Sequence, residues 1–257
     1  MSNISKFILN TIPRPLLIRM SYFIRPVVAL ALRGKNYTDP IDGKSYRKFL
    51  SYGYEKTRPN VLAPGTLSLE RHRLLWLYLE RETDFFIKKR KVLHVAPEQA
   101  FLKRFRALKN LDYTTTDLES PIADIKADLT NLPFAENIYD IIICNHVLEH
   151  IEQDKMAMAE IYRVLKPGGI AILQVPYDAK REKTFSDDSI VDPKERARIF
   201  GQYDHVRVYG MDYFKTLASI GFNVIAEDYT KQLTPLEIEK YRLPAGELIP
   251  IAIKPES

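Results

Sequence analysis

The chain has a single cysteine, Cys144, in 257 residues, so no disulfide can brace it and a reducing cytoplasm suits it. It lacks any uninterrupted apolar run near the ~20 residues needed to cross a bilayer. Ala29-Leu30-Ala31 mimics a signal-peptidase site, but Arg19, Arg25 and Pro26 break the apolar core that a secretory signal would need. Acidic residues are missing from positions 1–35, where Lys6, Arg14, Arg19, Arg25, Arg33 and Lys35 sum to +6. With +5 on the whole chain, the remaining residues sum to −1 (5 − 6). No basic surface is therefore expected beyond the N-terminal arm, which argues against nucleic-acid partners. No Gly-x-Gly-x-x-Gly follows the first predicted strand, which argues against a dinucleotide oxidoreductase. No internal repeat is present.

At 46% hydrophobic and 28% charged residues the composition is that of a globular chain. Its length allows one α/β domain of about 200 residues with an appendage. The stretch from Asp124 to Pro176 is the most informative. Ile141-Ile142-Ile143-Cys144 is apolar at consecutive positions, as in a parallel strand buried on both faces. Asn145-His146 breaks that run and marks the carboxyl edge of an open α/β sheet, where ligands sit. Met156, Ala159, Ile161, Tyr162 and Leu165 recur at helical spacing, which predicts a helix from Glu152 to Lys166 ended by Pro167-Gly168-Gly169. Ile170 to Val175 supplies the next strand.

In order, Leu132-Pro133-Phe134, Tyr139-Asp140, Leu148-Glu149-His150 and Arg163-Val164-Leu165-Lys166-Pro167-Gly168-Gly169 carry a family resemblance. From Lys91 to Pro255 the chain resembles the class I methyltransferases that use S-adenosylmethionine, in the subgroup acting on small molecules, lipids and sugars. The resemblance implies a Rossmann-like α/β domain over residues 91–257. Its sheet would be seven-stranded and mostly parallel, with an antiparallel last strand and helices on both faces. It also implies methyl transfer to an oxygen or nitrogen of a small-molecule, lipid or glycan acceptor, with S-adenosylhomocysteine as the product. A non-catalytic scaffold or partner protein is the alternative.

The family's glycine-rich loop after the first strand is replaced by His94, Ala96, Glu98 and Ala100, so a reshaped loop is expected. The backbone of Ala96, Pro97 and Glu98 at the helix start would still receive the cofactor. Asp117, 19 residues past Glu98, stands near the spacing of an acidic residue that accepts from ribose hydroxyls. Asp128, followed by Leu129, matches the family's adenine position, and Asn145 lies at the sheet edge. Either aspartate can instead cap its turn. His150, Tyr177 and His205 are candidate proton acceptors, with Tyr203 and Arg207 as candidate acceptor-binding residues. The alternative for the 203–210 segment is a hydrogen-bonded corner. The charged stretch from Tyr177 to Gln202 has little regular pattern and reads as an insertion covering the acceptor.

Residues 1–36 form a basic amphipathic arm divided by Pro13, Pro15 and Pro26. Two readings stay open for residues 4–33: packing on protein, or peripheral contact with the anionic inner face of a membrane. The segment 37–90 is similar to a zinc ribbon whose Cys-Pro-x-Cys knuckles have become Asp39, Asp42, Ala63 and Thr66. Such a set cannot replace four thiolates, and a metal-free remnant is expected. Ser68 is expected to cap a helix bearing the stripe Leu69, His72, Leu75, Trp76 and Leu79. Arg71, His72 and Arg73 are read either as approaching an acidic acceptor or as solvated charges beside a core histidine.

Overall fold

A computed structural model describes residues 24–53 and 57–256, apart from the side chain of Glu227. The expectations for residues 4–23 of the arm lie outside the described residues. The chain divides into two compact units. Of the described residues, the first takes those from 24 to 86 with Glu98–Arg104 and Asp228–Glu247; the second takes Ile87–Pro97, Phe105–Glu227 and 248–256. Two stretches far along the chain thus join the N-terminal unit, and β1 (Arg33–Asp39) crosses the expected arm boundary at residue 36.

In the first unit β1 pairs antiparallel with β2 (Lys44–Tyr46), and β3 (Leu50–Tyr52) with β4 (Arg58–Leu62). The turn of the first hairpin carries Asp39 and Asp42, and residues 63–66 follow β4. Asp39 is wholly buried. It accepts hydrogen bonds from the Thr66 hydroxyl, from Ser68 Oγ at 3.2 Å and from Ile41 N at 3.0 Å. Buried Ala63 packs with Leu32, Tyr46 and Phe49. Asp42 accepts from Tyr46 Oη at 3.2 Å and from Lys44 N at 3.0 Å. A polar network therefore joins the two places where knuckles were expected.

Helix α1 (Glu70–Arg81) follows. Leu69, not Ser68, is its N-cap residue; His72 Nδ1 accepts from the Leu69 N–H at 3.0 Å and satisfies one orphan donor of the first turn. Arg73 is fully buried and donates to the carbonyls of Val61 (3.0 Å), Ser68 (2.8 Å), Tyr241 (2.6 Å) and Arg242 (2.8 Å). Burial lowers its pKa to about 10, against the pull of Asp39 and Glu70. Arg73 is thus an internal tie and does not face an acidic acceptor.

The second unit is built on a seven-stranded sheet. Its strands are β5 (Arg90–Val95), β6 (Leu111–Asp117), β7 (Ile125–Lys126), β8 (Tyr139–Cys144), β9 (Leu165–Ile172), β12 (Asn223–Glu227) and β13 (Ile249–Ile253); helix α2 (Gln99–Ala107) follows β5 in the chain, and β10 (Phe185–Ser186) and β11 (Arg207–Val208) form a separate antiparallel pair. They lie in the order β12-β13-β9-β8-β5-β6-β7, with β13 antiparallel to both neighbours and β5 to β9 parallel. The expected sheet is therefore present, flanked by helices. Val92, Leu93, Ile142, Ile143 and Cys144 are all wholly buried, as central parallel strands require.

Several motif residues hold this frame. Arg163 of helix α3 (Asp154–Val164) donates to the carbonyls of Phe134 and Leu132 at 2.8 and 3.0 Å, and Glu160 accepts from Leu132 N at 2.7 Å. The α3 turn thereby pins the Leu-Pro-Phe loop. Asp140 accepts from Lys166 Nζ at 2.8 Å and from Lys91 N at 2.7 Å, tying β8 to β5 and β9. Helix α3 stops at Val164, short of the expected Lys166, because the residue before Pro167 is driven out of the helical region. Gly168 takes φ 71°, and Gly168 N donates to Lys254 O at 2.8 Å, so the Pro-Gly-Gly segment enters the sheet.

Candidate functional site

The register of the sheet brings the ends of three strands together. Val95 pairs with Thr116 on one side and Cys144 on the other, so Ala96, Asp117 and Asn145 are adjacent at the carboxyl edge. From β5 the chain passes to β6 on one flank and later to β8 on the other. This is a topological switch point, the place where open α/β sheets receive ligands. Lys126 pairs with Asp117, which puts Asp128 just beyond the edge of β7.

Ala96 adopts φ 48° and donates its N–H to Thr116 O at 2.8 Å. The loop therefore makes its left-handed turn without glycine. Such a conformation costs an L-residue roughly 1–2 kcal/mol. Against about 0.4–1 kcal/mol of extra chain entropy, Ala96→Gly should stabilise the protein by roughly 0.5–1 kcal/mol. Urea unfolding measures it; a lower midpoint would mean that the Ala96 methyl packs better than its backbone is strained. Pro97 is buried. Glu98, grouped with the first unit, lies 3.9 Å from His72 Nε2. His94, at the family's acidic position, is wholly buried and shares a 2.7 Å hydrogen bond with Tyr113 Oη.

Asp117 Oδ1 accepts from the N–H groups of Glu119 and Ser120 at 2.9 and 2.7 Å. Asp128 Oδ1 accepts from Thr130 N and Oγ1, both at 2.8 Å. Each aspartate therefore caps its turn through Oδ1, and these bonds leave the cofactor reading of Oδ2 open. Leu129 beside Asp128 is buried. Asn145 is 4% exposed, and the following His146 takes φ 55° and donates its N–H to Gln174 O at 2.7 Å.

Buried polar atoms without a hydrogen bond among the described residues collect at this edge. They include both carboxylate oxygens of Glu149, both amide atoms of Gln174 and His146 Nε2. Folded proteins rarely leave such groups unmatched, and a polar ligand is what would match them. Sequence reasoning missed Gln174. Its signal was one polar residue inside the apolar run Ile172-Leu173-Gln174-Val175.

The remaining candidates fall in two places. His150, in the 3-10 turn Leu148–His150, stacks edge-to-face on His205 with ring centroids 4.7 Å apart. His205 donates or accepts at Nδ1 with Phe200 O, 3.1 Å away; a carbonyl only accepts, so Nδ1 carries the proton. Burial pushes the His205 pKa below its ordinary value, with Glu149 pulling the other way. Tyr177 is half-buried, forms a bridge with Tyr209 and contacts Phe214 at 6.0 Å between ring centroids. Tyr203 is exposed.

Arg207 is buried, ion-paired with Asp154 and bonded to the carbonyls of Ile151 and Glu152, both at 2.8 Å. Tyr209 Oη donates to the same Asp154 at 2.7 Å. This is the geometry of the hydrogen-bonded corner, because a guanidinium engaged on an internal carboxylate is not presented to an acceptor. The stretch from Tyr177 to Gln202 is more regular than expected: helix α4 (Pro193–Phe200) is capped by Asp192, whose side chain accepts from Glu195 N at 3.0 Å, and ends at left-handed Gly201. The signal was Asp-Pro followed by glycine eight residues on.

The residues present fit the cofactor that the resemblance implies: two part-engaged carboxylates, a left-handed loop and unmatched polar groups share one edge. Residues 79–173 match a family described as a methyltransferase domain. A demethylmenaquinone methyltransferase of Renibacterium salmoninarum is 44% identical over 45 residues, 18% of this chain and 19% of that protein. Protein MJ0638 of Methanocaldococcus jannaschii is 38% identical over 68 residues, 26% of this chain and 30% of its own. The matches thus span less than a third of each relative's length. Among solved structures, the [4+2]-cyclase SpnF is similar over 85% of this chain and 92% of its own, at 16% identity and a TM-score of 0.52. Residues 79–173 are therefore similar to a methyltransferase domain, and the sheet that holds most of them has the class I methyltransferase fold.

Proposed function

We propose that the chain transfers a methyl group from S-adenosylmethionine to an oxygen or nitrogen of a small-molecule, lipid or glycan acceptor. The observation that carries this reading is the alignment of Ala96, Asp117 and Asn145 at one switch point, with Asp128 beside them. Bound there, S-adenosylmethionine supplies an already activated methyl group. The chain's own work is then to hold the cofactor, orient the acceptor and exclude water. Asp117 Oδ2 would accept from ribose hydroxyls and Asp128 from the adenine amino group. The backbone at Ala96, Pro97 and Glu98 would meet the remainder of the cofactor. Tyr177 is a candidate to accept the acceptor's proton, as are His150 and His205.

The fold also hosts other chemistry, since SpnF is named a cyclase. A non-catalytic scaffold is the second reading, and the loss of the glycine loop favours it. Calorimetry of the whole chain with S-adenosylmethionine and S-adenosylhomocysteine separates the two: binding of both at micromolar concentration is expected, and no binding at millimolar concentration would favour the scaffold.

Among the described residues no helix is long and apolar enough to cross a membrane. A peripheral membrane contact remains part of the proposal. The helical segment 24–31 exposes Ile24, Val27 and Leu30 on a part of the chain that carries positive charge alone. The segment 37–90 is proposed as a metal-free remnant of a zinc ribbon, a reading supported by the Asp39, Thr66 and Ser68 network.

A further inference from the structure

Glu149, His150 and His205 lie together beyond the carboxyl end of β8, with one ligand atom from each within 4.8 Å of the others. Glu149 is 1% exposed, and neither carboxylate oxygen accepts a hydrogen bond from any of the described residues. His146 Nδ1 stands 3.3 Å from Oε1, which makes an ion pair only if that ring is protonated and leaves Oε2 with nothing. An ionised carboxylate buried without donors is costly, and a cation beside it removes the cost.

Both other side chains are prepared to be neutral ligands. His205 Nδ1 is 3.1 Å from Phe200 O, and His150 Nδ1 is 3.1 Å from Asp204 O and 3.5 Å from Asp204 Oδ2. A carbonyl oxygen only accepts, so each Nδ1 holds a proton and each Nε2 keeps its lone pair. Backbone and carboxylate partners on the far nitrogen are the usual means of orienting a metal-binding imidazole. Val206 N donates to Glu149 O at 3.0 Å and joins the two chain segments that carry the three side chains.

We infer that Glu149, His150 and His205 bind one divalent transition-metal ion, with further coordination positions left open. Two imidazoles among three donors suit zinc first, and leave manganese, which like calcium and magnesium prefers oxygen donors, the weaker candidate. Tetrahedral bonds of about 2.0–2.2 Å place ligand atoms about 3.3 Å apart, so modest side-chain rotation closes the set. This goes beyond the methyl-transfer reading and does not depend on it; with the metal bound, His150 and His205 have no lone pair left for a proton, and of the three candidates Tyr177 keeps that role. It departs from the expectation of a metal-free chain, which came from the knuckle positions alone.

The test uses the full chain, untagged and stripped with a chelator, titrated separately with Zn2+ and Mn2+ by calorimetry. One site per chain is expected. Its affinity should fall roughly 10-fold or more in Glu149→Gln and in His205→Gln, and Asp42→Asn, at the former knuckle, should leave it unchanged. The visible spectrum of bound Co2+ should change in the first two variants only, a readout independent of any activity. If Glu149→Gln does not fold, His205→Gln carries the test. Absence of binding by the unmutated chain would overturn the inference. So would undiminished binding in both site variants, or metal that is lost with Asp42→Asn.

Discussion

Replacing Arg73 with methionine should lower the unfolding free energy by about 3–5 kcal/mol, the range for removing one partner from a buried ionic network. The substitution keeps most of the side-chain volume, so the loss reports the charge and its hydrogen bonds rather than a cavity. Four carbonyl oxygens, on Val61, Ser68, Tyr241 and Arg242, lose a donor, although Ser68 O keeps a second one, Ala63 N at 2.9 Å. Each costs roughly 1–3 kcal/mol if nothing replaces it. Asp39, buried and with its pKa already raised by desolvation, loses its favourable cation as well. The guanidinium also covers the Phe49 ring, 4.8 Å from its centroid. Urea unfolding should show a lower midpoint at unchanged slope. Hydrogen exchange should accelerate first in residues 229–247, which Arg73 ties to the hairpins. A loss below about 1 kcal/mol would mean that water can take over the four carbonyls.

Asp117→Ala should weaken S-adenosylmethionine and S-adenosylhomocysteine binding by about 10–100-fold, or roughly 1.4–2.8 kcal/mol. One carboxylate divides two tasks between its oxygens. Oδ1 is engaged by the N–H groups of Glu119 and Ser120, which fixes the side-chain rotamer. Oδ2 is then presented at a constant place beyond β6. Alanine removes both roles, so stability should drop by about 0.5–2 kcal/mol, the size of a lost cap. Asp117→Asn separates them, because its amide oxygen can still cap the turn while the charge is gone. Calorimetry on both variants decides: equal cofactor affinity in the unmutated and alanine forms would remove Asp117 from the site.

Which parts of the chain were legible follows from how local each signal is. The apolar run at Ile141 to Cys144 and the helical spacing from Met156 to Leu165 report burial and period, which depend on residues close in sequence. They sufficed for a buried parallel strand and the helix after it, while the seven-stranded sheet was what the family resemblance implied. Motif residues were legible as a family pattern, but several turned out to be frame: Arg163, Asp140 and Lys166 hold loops and strands together. Arg207 shows why residue type alone misleads. A guanidinium near a sheet edge reads as an anion anchor, and only the position of Asp154, far off in sequence, engages it internally.

The sequence by itself determined that this is an α/β chain of the methyltransferase pattern, with a basic N-terminus and an altered loop after the first strand. Periodicity, turn chemistry and charge are properties of neighbouring residues, and they survive without a third dimension. Tertiary structure alone decided that Asp228–Glu247 belongs with the N-terminal unit, that Arg73 is an internal tie, and that Glu149 meets His205. Those outcomes are set by desolvation and hydrogen-bond satisfaction between residues dozens of positions apart. Burial turns an ordinary charge into a demand for one particular partner, and only the folded chain shows whether that partner is present.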